Sequence, residues 1–181
     1  MIVRLKRVGD VSTELIYEAA DAIASEYGLK VIVDPFKVEP PMETFNWERL
    51  QYLASALTMK LAQEKARGEF LVFLVDADAY ESGLNFVFGI ALPRIGAASV
   101  FLKRLRPSFY GEPEDWNLFV SRVRKEVNHE LGHLIGLDHC PNPRCVMSFS
   151  NSILDVDRKS ENLCEDCKLK ARELLATWEG S

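Results

Sequence analysis

The stretch HELGHLIGLDH, residues 129–139, contains every histidine of the chain. On an α-helix His129 and His133 lie four residues apart and project from one face, which suits two imidazoles meeting a single tetrahedral Zn²⁺. Glu130 follows the first of them, where a carboxylate can reach a water at the metal without binding the metal itself. His139 is six residues beyond His133, out of reach of the same ion on a straight helix, so the chain must turn. Gly136 stands where that turn is needed, and glycine takes a left-handed conformation without a Cβ penalty. Three neutral imidazoles leave a fourth position open, as catalytic zinc requires and structural zinc does not. Zinc lowers the pKa of a bound water from about 15.7 to about 7. Glu130, as general base, would take that water's proton and deliver it to a leaving amine. The reaction class such a site would support is amide hydrolysis without an acyl-enzyme.

A second ligand set follows. Cys140 and Cys145 are separated by four residues and Cys164 and Cys167 by two, both familiar spacings for tetrahedral thiolate zinc. The two pairs make one closed structural site that ties the loop after the histidine helix to the start of the last helix, where metal binding contributes folding free energy. Disulfides are disfavoured by a reducing compartment. A nucleic-acid-binding zinc ribbon is disfavoured because the ligands abut His139, embed Met147 and lie in no basic stripe. Since Cys140 follows His139 directly, loss of the structural zinc is expected to disturb the catalytic one.

The pattern H-E-x-x-H-x-x-G-x-x-H with Met147 downstream resembles the metzincin zinc peptidases and their Met-turn. The continuation through Cys140, Cys145 and Met147 to Cys164-Glu-Asp-Cys167 is similar to the archaemetzincins in particular. The resemblance implies two Zn²⁺ per chain. His129, His133 and His139 would hold the catalytic ion, Glu130 would be the base, the four cysteines would hold the structural ion, and Met147 would lie beneath the metal site. It also implies an α/β (α+β) fold: a metzincin-like mixed twisted sheet with an antiparallel edge strand, an active-site helix, a Met-turn and a C-terminal helix. Asn85-Phe86-Val87-Phe88-Gly89 is the candidate edge strand, where Asn85 and Phe86 could meet an extended substrate, although Phe86 and Phe88 could equally pack the core. Ser150 and Asn151 would line the cleft beyond the Met-turn; Asp155, Asp157 and Arg158 read as an ion pair. Two features depart from secreted metzincins: no tyrosine follows Met147, and no cysteine precedes Cys140 to block the zinc.

These groups need a scaffold. Residues 1–8 alternate as a strand. Ser12 or Thr13 opens an apolar-periodic helix that Gly28 closes, and residues 30–34 form a short strand. Trp47, Leu50, Leu53, Leu57 and Leu61 predict a helix over 46–65. FLVFLV, residues 70–75, reads as a strand covered on both faces, with further strands near 84–92 and 97–105. The order is βαβαβββ. A long helix begins near Pro113, with Trp116, Val120, Val123, Val127, Leu131 and Leu134 on its apolar face. Loop is expected to about residue 159 and a last helix from Ser160 to Leu175.

With 181 residues, 48% of them hydrophobic, the chain can bury one core and is no disordered segment. One domain over 1–181 is expected, with the sheet and helices in 1–136 and the Met-turn, cysteine clip and last helix in 137–181. A net charge of −5 without a basic block argues against nucleic-acid binding. The N-terminus has no signal-peptide core and no segment is long and apolar enough for a membrane span. The expectation is a cytoplasmic, monomeric zinc peptidase acting on peptides or unfolded proteins, without nucleic-acid or membrane partners. The alternative is a zinc-stabilised peptide- or protein-binding module with little or no turnover.

Overall fold

In the computed structural model, which describes residues 1–179, the scaffold is a five-stranded sheet with helices on both faces. β1 (Ile2–Val8) leads through α1 (Thr13–Tyr27) to β2 (Lys30–Val38); β5 (Glu69–Val75), β7 (Gly89–Leu92) and β8 (Ala97–Phe101) complete the order β2-β1-β5-β8-β7. Every pair is parallel except β7 with β8, so the sheet is mixed and its free edge beyond β8 is antiparallel. Ser12 caps α1 by accepting from Leu15 N, and Gly28 ends it at φ 67°.

The period-2 geometry of β5 divides the core. Val72 and Leu74 join Val3, Leu5, Ala98 and Val100 beneath α1 and α3 (Trp116–Ile135), whereas Leu71, Phe73 and Val75 pack with Ala97 and Phe101 beneath α2 (Ala54–Leu61). This is the two-sided burial that an uninterrupted apolar strand requires. α3 starts at Trp116, three residues after Pro113, because Asp115 is its N-cap and accepts from Leu118 N. Trp116 itself is half-exposed and stacks on Phe119, which takes the buried place at the head of the helix.

Several sequence expectations are corrected. The helix expected over 46–65 is confined to α2; before it, β3 (Phe45–Asn46) and β4 (Gln51–Leu53) form a ribbon that pairs with β6 (Ala79–Tyr80). Asn46 Oδ1 accepts from Glu48 N and Arg49 N, and this side-chain turn outcompetes helical hydrogen bonding. Trp47 and Leu50 are consequently exposed. β2 runs on to Val38 through Pro35, which an edge strand tolerates beside a register shift. The strand expected over 84–92 exists only from Gly89, and that over 97–105 stops at Phe101 before two 3₁₀ turns. The stretch 137–159 contains α4 (Ile153–Arg158), and the last helix, α5 (Glu165–Glu179), begins after Cys164 rather than at Ser160. Asp157 pairs with Arg122 of α3 at 2.8 Å, while Arg158 and Asp155 stand 3.9 Å apart. Among the described residues no helix is long and apolar enough to cross a membrane.

Candidate active site

The last two turns of α3 carry His129, Glu130 and His133, the first two buried. At Gly136 (φ 123°) the helix stops, with Gly136 N and Leu137 N both donating to Gly132 O. The chain then doubles back and brings His139 to the other two histidines, so that one ligand nitrogen from each lies within 4.8 Å of the others.

The orientation of the rings decides what they can hold. His129 Nδ1 is 2.7 Å from Val146 O and His133 Nδ1 is 2.8 Å from Leu137 O. A carbonyl can only accept, so each ring carries its proton on Nδ1 and presents the Nε2 lone pair. Those two Nε2 atoms face one another at 3.2 Å. Facing lone pairs repel unless a cation joins them, and a tetrahedral zinc with Zn–N near 2.05 Å separates its ligand nitrogens by about 3.3 Å. The donor set therefore fits zinc. Burial pushes the imidazoles of His129, His133 and His139 below the usual histidine range, His129 furthest, which keeps them neutral.

Glu130 lies beside these rings. Burial, reinforced by nearby Glu126, holds its carboxyl well above the usual range, with Lys159 opposing. The first residue of β7, Gly89, covers it so closely that only a glycine fits. A cleft of about 390 Å³ opens over this group. It is lined by the segment 84–91 and by Phe149, Ser150 and Asn151, besides the histidines and Glu130. Asn85 and Phe86 thus line the cleft, as do Ser150 and Asn151, but as loop residues ahead of the edge strand. Phe86 also packs on Phe88, which is part of the core. Ser150 Oγ is buried and meets no hydrogen-bond partner among the described residues.

The four cysteines form the second cluster, their sulfurs within 4.8 Å of one another and Cys140 Sγ 3.8 Å from Cys164 Sγ. Zn–S bonds of about 2.3 Å in a tetrahedron give S···S edges of about 3.8 Å. Burial raises the thiols of Cys145 and Cys167, so a cation is needed to hold them as thiolates. The two clusters share backbone: Cys140 adjoins His139, its N donates to Met147 O, and Cys145 adjoins Val146, whose carbonyl orients His129. Met147 is fully buried and lies against Gly132 of α3, between the two histidines of that helix. A larger hollow, about 1100 Å³, lies between the 136–142 turn and α5; it includes neither Glu130 nor His129.

Three contributors are invisible to motif reading. Gly89 is one. The others are Glu126 and Lys159 on the cleft floor, paired at 3.0 Å and almost wholly buried. Glu126 could have been found from its place three residues before His129 on the same helix face; nothing local marks Lys159, and Gly89 is legible only as the end of the candidate edge strand, not as a neighbour of Glu130.

Comparison with known proteins finds relatives in sequence and in structure. The profile of Peptidase family M54 matches residues 10–173. The archaemetzincin of Pyrococcus furiosus is 41% identical over 175 residues, covering 93% of this chain and 91% of its own. The crystal structure of archaemetzincin from Methanopyrus kandleri superposes with a TM-score of 0.84 at 36% identity, covering 97% of this chain and 96% of that one. A zinc-dependent peptidase from Methanocorpusculum labreanum superposes with a TM-score of 0.85 at 28% identity, covering 93% and 99% respectively.

Proposed function

Because the chain belongs to peptidase family M54, the archaemetzincins, and is therefore a zinc-dependent metallopeptidase, we propose that the three-histidine cleft is its catalytic centre, with Glu130 as general base. His129, His133 and His139 would hold the catalytic zinc. The observation that carries this reading is the pair of Nε2 atoms 3.2 Å apart, each aimed by a carbonyl on its own Nδ1, beside a buried carboxylate. Zinc held there supplies a Lewis acid for the peptide carbonyl and lowers the pKa of water toward neutrality.

The chain's own groups do the rest. Val146 and Leu137 lock the tautomers of His129 and His133. Glu130, whose burial raises its affinity for a proton, accepts one from the attacking water. As the C–N bond breaks, Glu130 returns that proton to the amine nitrogen, and the water oxygen stays on the new carboxyl. Met147 supports the site from below as a Met-turn residue. Cys140, Cys145, Cys164 and Cys167 would hold a second, structural zinc. Asn85, Phe86, Ser150 and Asn151 are the proposed substrate contacts. In this reading residues 1–181 act as one catalytic domain, monomeric and cytoplasmic, cleaving peptides or unfolded proteins and engaging neither nucleic acid nor membrane.

The test is to incubate zinc-loaded protein with a diverse peptide mixture, sequence the products by mass spectrometry, and subtract those made by Glu130→Ala. Cleavages missing from the variant establish the chemistry and its site preference. Identical product lists would replace this reading with a zinc-stabilised binding module.

A further inference from the structure

The segment 84–88 forms one lip of the cleft outside any named strand, with only an isolated bridge from Leu84 to Glu81. Toward its far end Val87 N donates to Ala79 O and Phe88 O accepts from Phe101 N. Ahead of these, the carbonyls of Leu84 and Asn85 are held by the side chains of Arg49, in the turn between β3 and β4, and of Gln51, the first residue of β4. Arg49 Nη2 donates to Leu84 O at 3.3 Å and to Asn85 O at 3.2 Å. Gln51 Nε2 donates to Asn85 O at 3.0 Å, and its two protons are shared further with Asp78 Oδ2 at 3.1 Å and Ala79 O at 3.4 Å.

Each member of this strut is itself fixed. Gln51 is buried, and its Oε1 accepts from Arg49 Nε. Asp78 is gripped by both nitrogens of an Arg104 fork, at 2.7 and 2.9 Å, and that guanidinium covers the Phe86 ring at 4.4 Å. Arg49 lies over Tyr80 at 4.0 Å. Between Arg49 and Gln51 stands Leu50 at φ 55°, the only non-glycine residue with positive φ among those described. A leucine in the left-handed region is unfavourable, and such conformations persist where the surroundings hold them for a purpose.

We propose that Gln51 and Arg49 are positioning residues for the peptidase: they set the height of the lip 84–88 over Glu130, and so how a peptide chain is held in the cleft. They act on substrate binding and not on bond breaking, because neither lines the cleft nor reaches Glu130 or a histidine. The inference rests on the cleft being the peptidase site, and its test separates the two.

Zinc-loaded wild type, Gln51→Leu and Arg49→Ala are titrated calorimetrically with two zinc-chelating probes, acetohydroxamate and a peptidyl hydroxamate long enough to lie along the cleft. Arg49 is exposed, so its variant folds even if Gln51→Leu does not. Removal of the strut's hydrogen bonds is expected to weaken the peptidyl probe about three- to tenfold and leave acetohydroxamate unchanged. In turnover the same loss should fall on KM, with kcat within about twofold of wild type. Equal affinity of variant and wild type for the peptidyl probe overturns the inference and leaves the peptidase reading standing. A wild type that binds neither probe overturns both.

Discussion

Gly89 and Glu130 meet so closely that a β-carbon on the glycine would stand 2.6 Å from Glu130 Oε1 and 2.8 Å from its Cγ. The same carbon would come within 2.9 Å of Ser99 O, a backbone atom of the adjacent strand that cannot step aside. The first residue of the edge strand therefore rests directly on the proposed base, and the absence of a side chain is what lets it do so. Gly89→Ala should displace the Glu130 carboxylate and lower kcat/KM by about 10²-fold or more, the effect of a catalytic group moved by roughly 1 Å. The zinc content should stay that of wild type. Undiminished turnover would show that the close approach has no catalytic meaning.

Met147 and Gly132 form a similar pair on the other side of α3, since a side chain at 132 would collide with the thioether sulfur. Met147→Ala removes fully buried volume and is expected to lower stability by about 2–5 kcal/mol. Met147→Leu conserves volume and should cost less than about 1.5 kcal/mol. Thermal melts of the zinc-loaded proteins check the order. A Leu variant as damaged as the Ala variant would mean that the sulfur matters beyond its packing.

The two metal clusters should not be independent. Cys145 is bonded to Val146, whose carbonyl orients His129, and Cys140 is bonded to His139, whose ring meets no carbonyl partner among the described residues. Cys164→Ser should thus lower peptidase activity and weaken zinc at the histidines as well as at the cysteines. Metal analysis during a chelator titration reads both. Full activity and a tightly bound second ion in this variant would break the link.

Lys159 and Glu126 pair at 3.0 Å with side-chain exposures of 0% and 4%. Removing one partner leaves the other charged and unpaired in a dry site, so Lys159→Met should cost about 3–5 kcal/mol in denaturant unfolding. The double variant Lys159→Met with Glu126→Leu removes both charges and should regain most of that loss. If the double variant is no more stable than the single, the ammonium's contact with Ser148 O at 3.4 Å, not its charge pairing, holds the segment.

The parts of this protein that could be read from its sequence are those in which neighbours along the chain are also neighbours in space. His129 and His133 share a helix face, Gly136 ends that helix, and the alternating faces of FLVFLV are buried on both sides. The helix expected over 46–65 failed for the converse reason. Its leucines repeat at helical spacing, but Asn46 folds onto Glu48 and Arg49, and Gln51 is drawn to Asp78 and Asn85, more than 25 residues away. The lip of the cleft was misplaced with it: Asn85 and Phe86 lie in a propped loop, and the edge strand begins only at Gly89.

The sequence by itself determined which residues could carry the chemistry, because a ligand set is a matter of side-chain type at a spacing that one helix and one turn can satisfy. Only the tertiary structure decided which groups those candidate ligands face. Val146 and Leu137 choose the imidazole tautomers, Gly89 closes over Glu130, Lys159 neutralises Glu126, and Gln51 props the lip. Each is a contact of a few ångströms between elements whose distance along the chain carries no information about their distance in space.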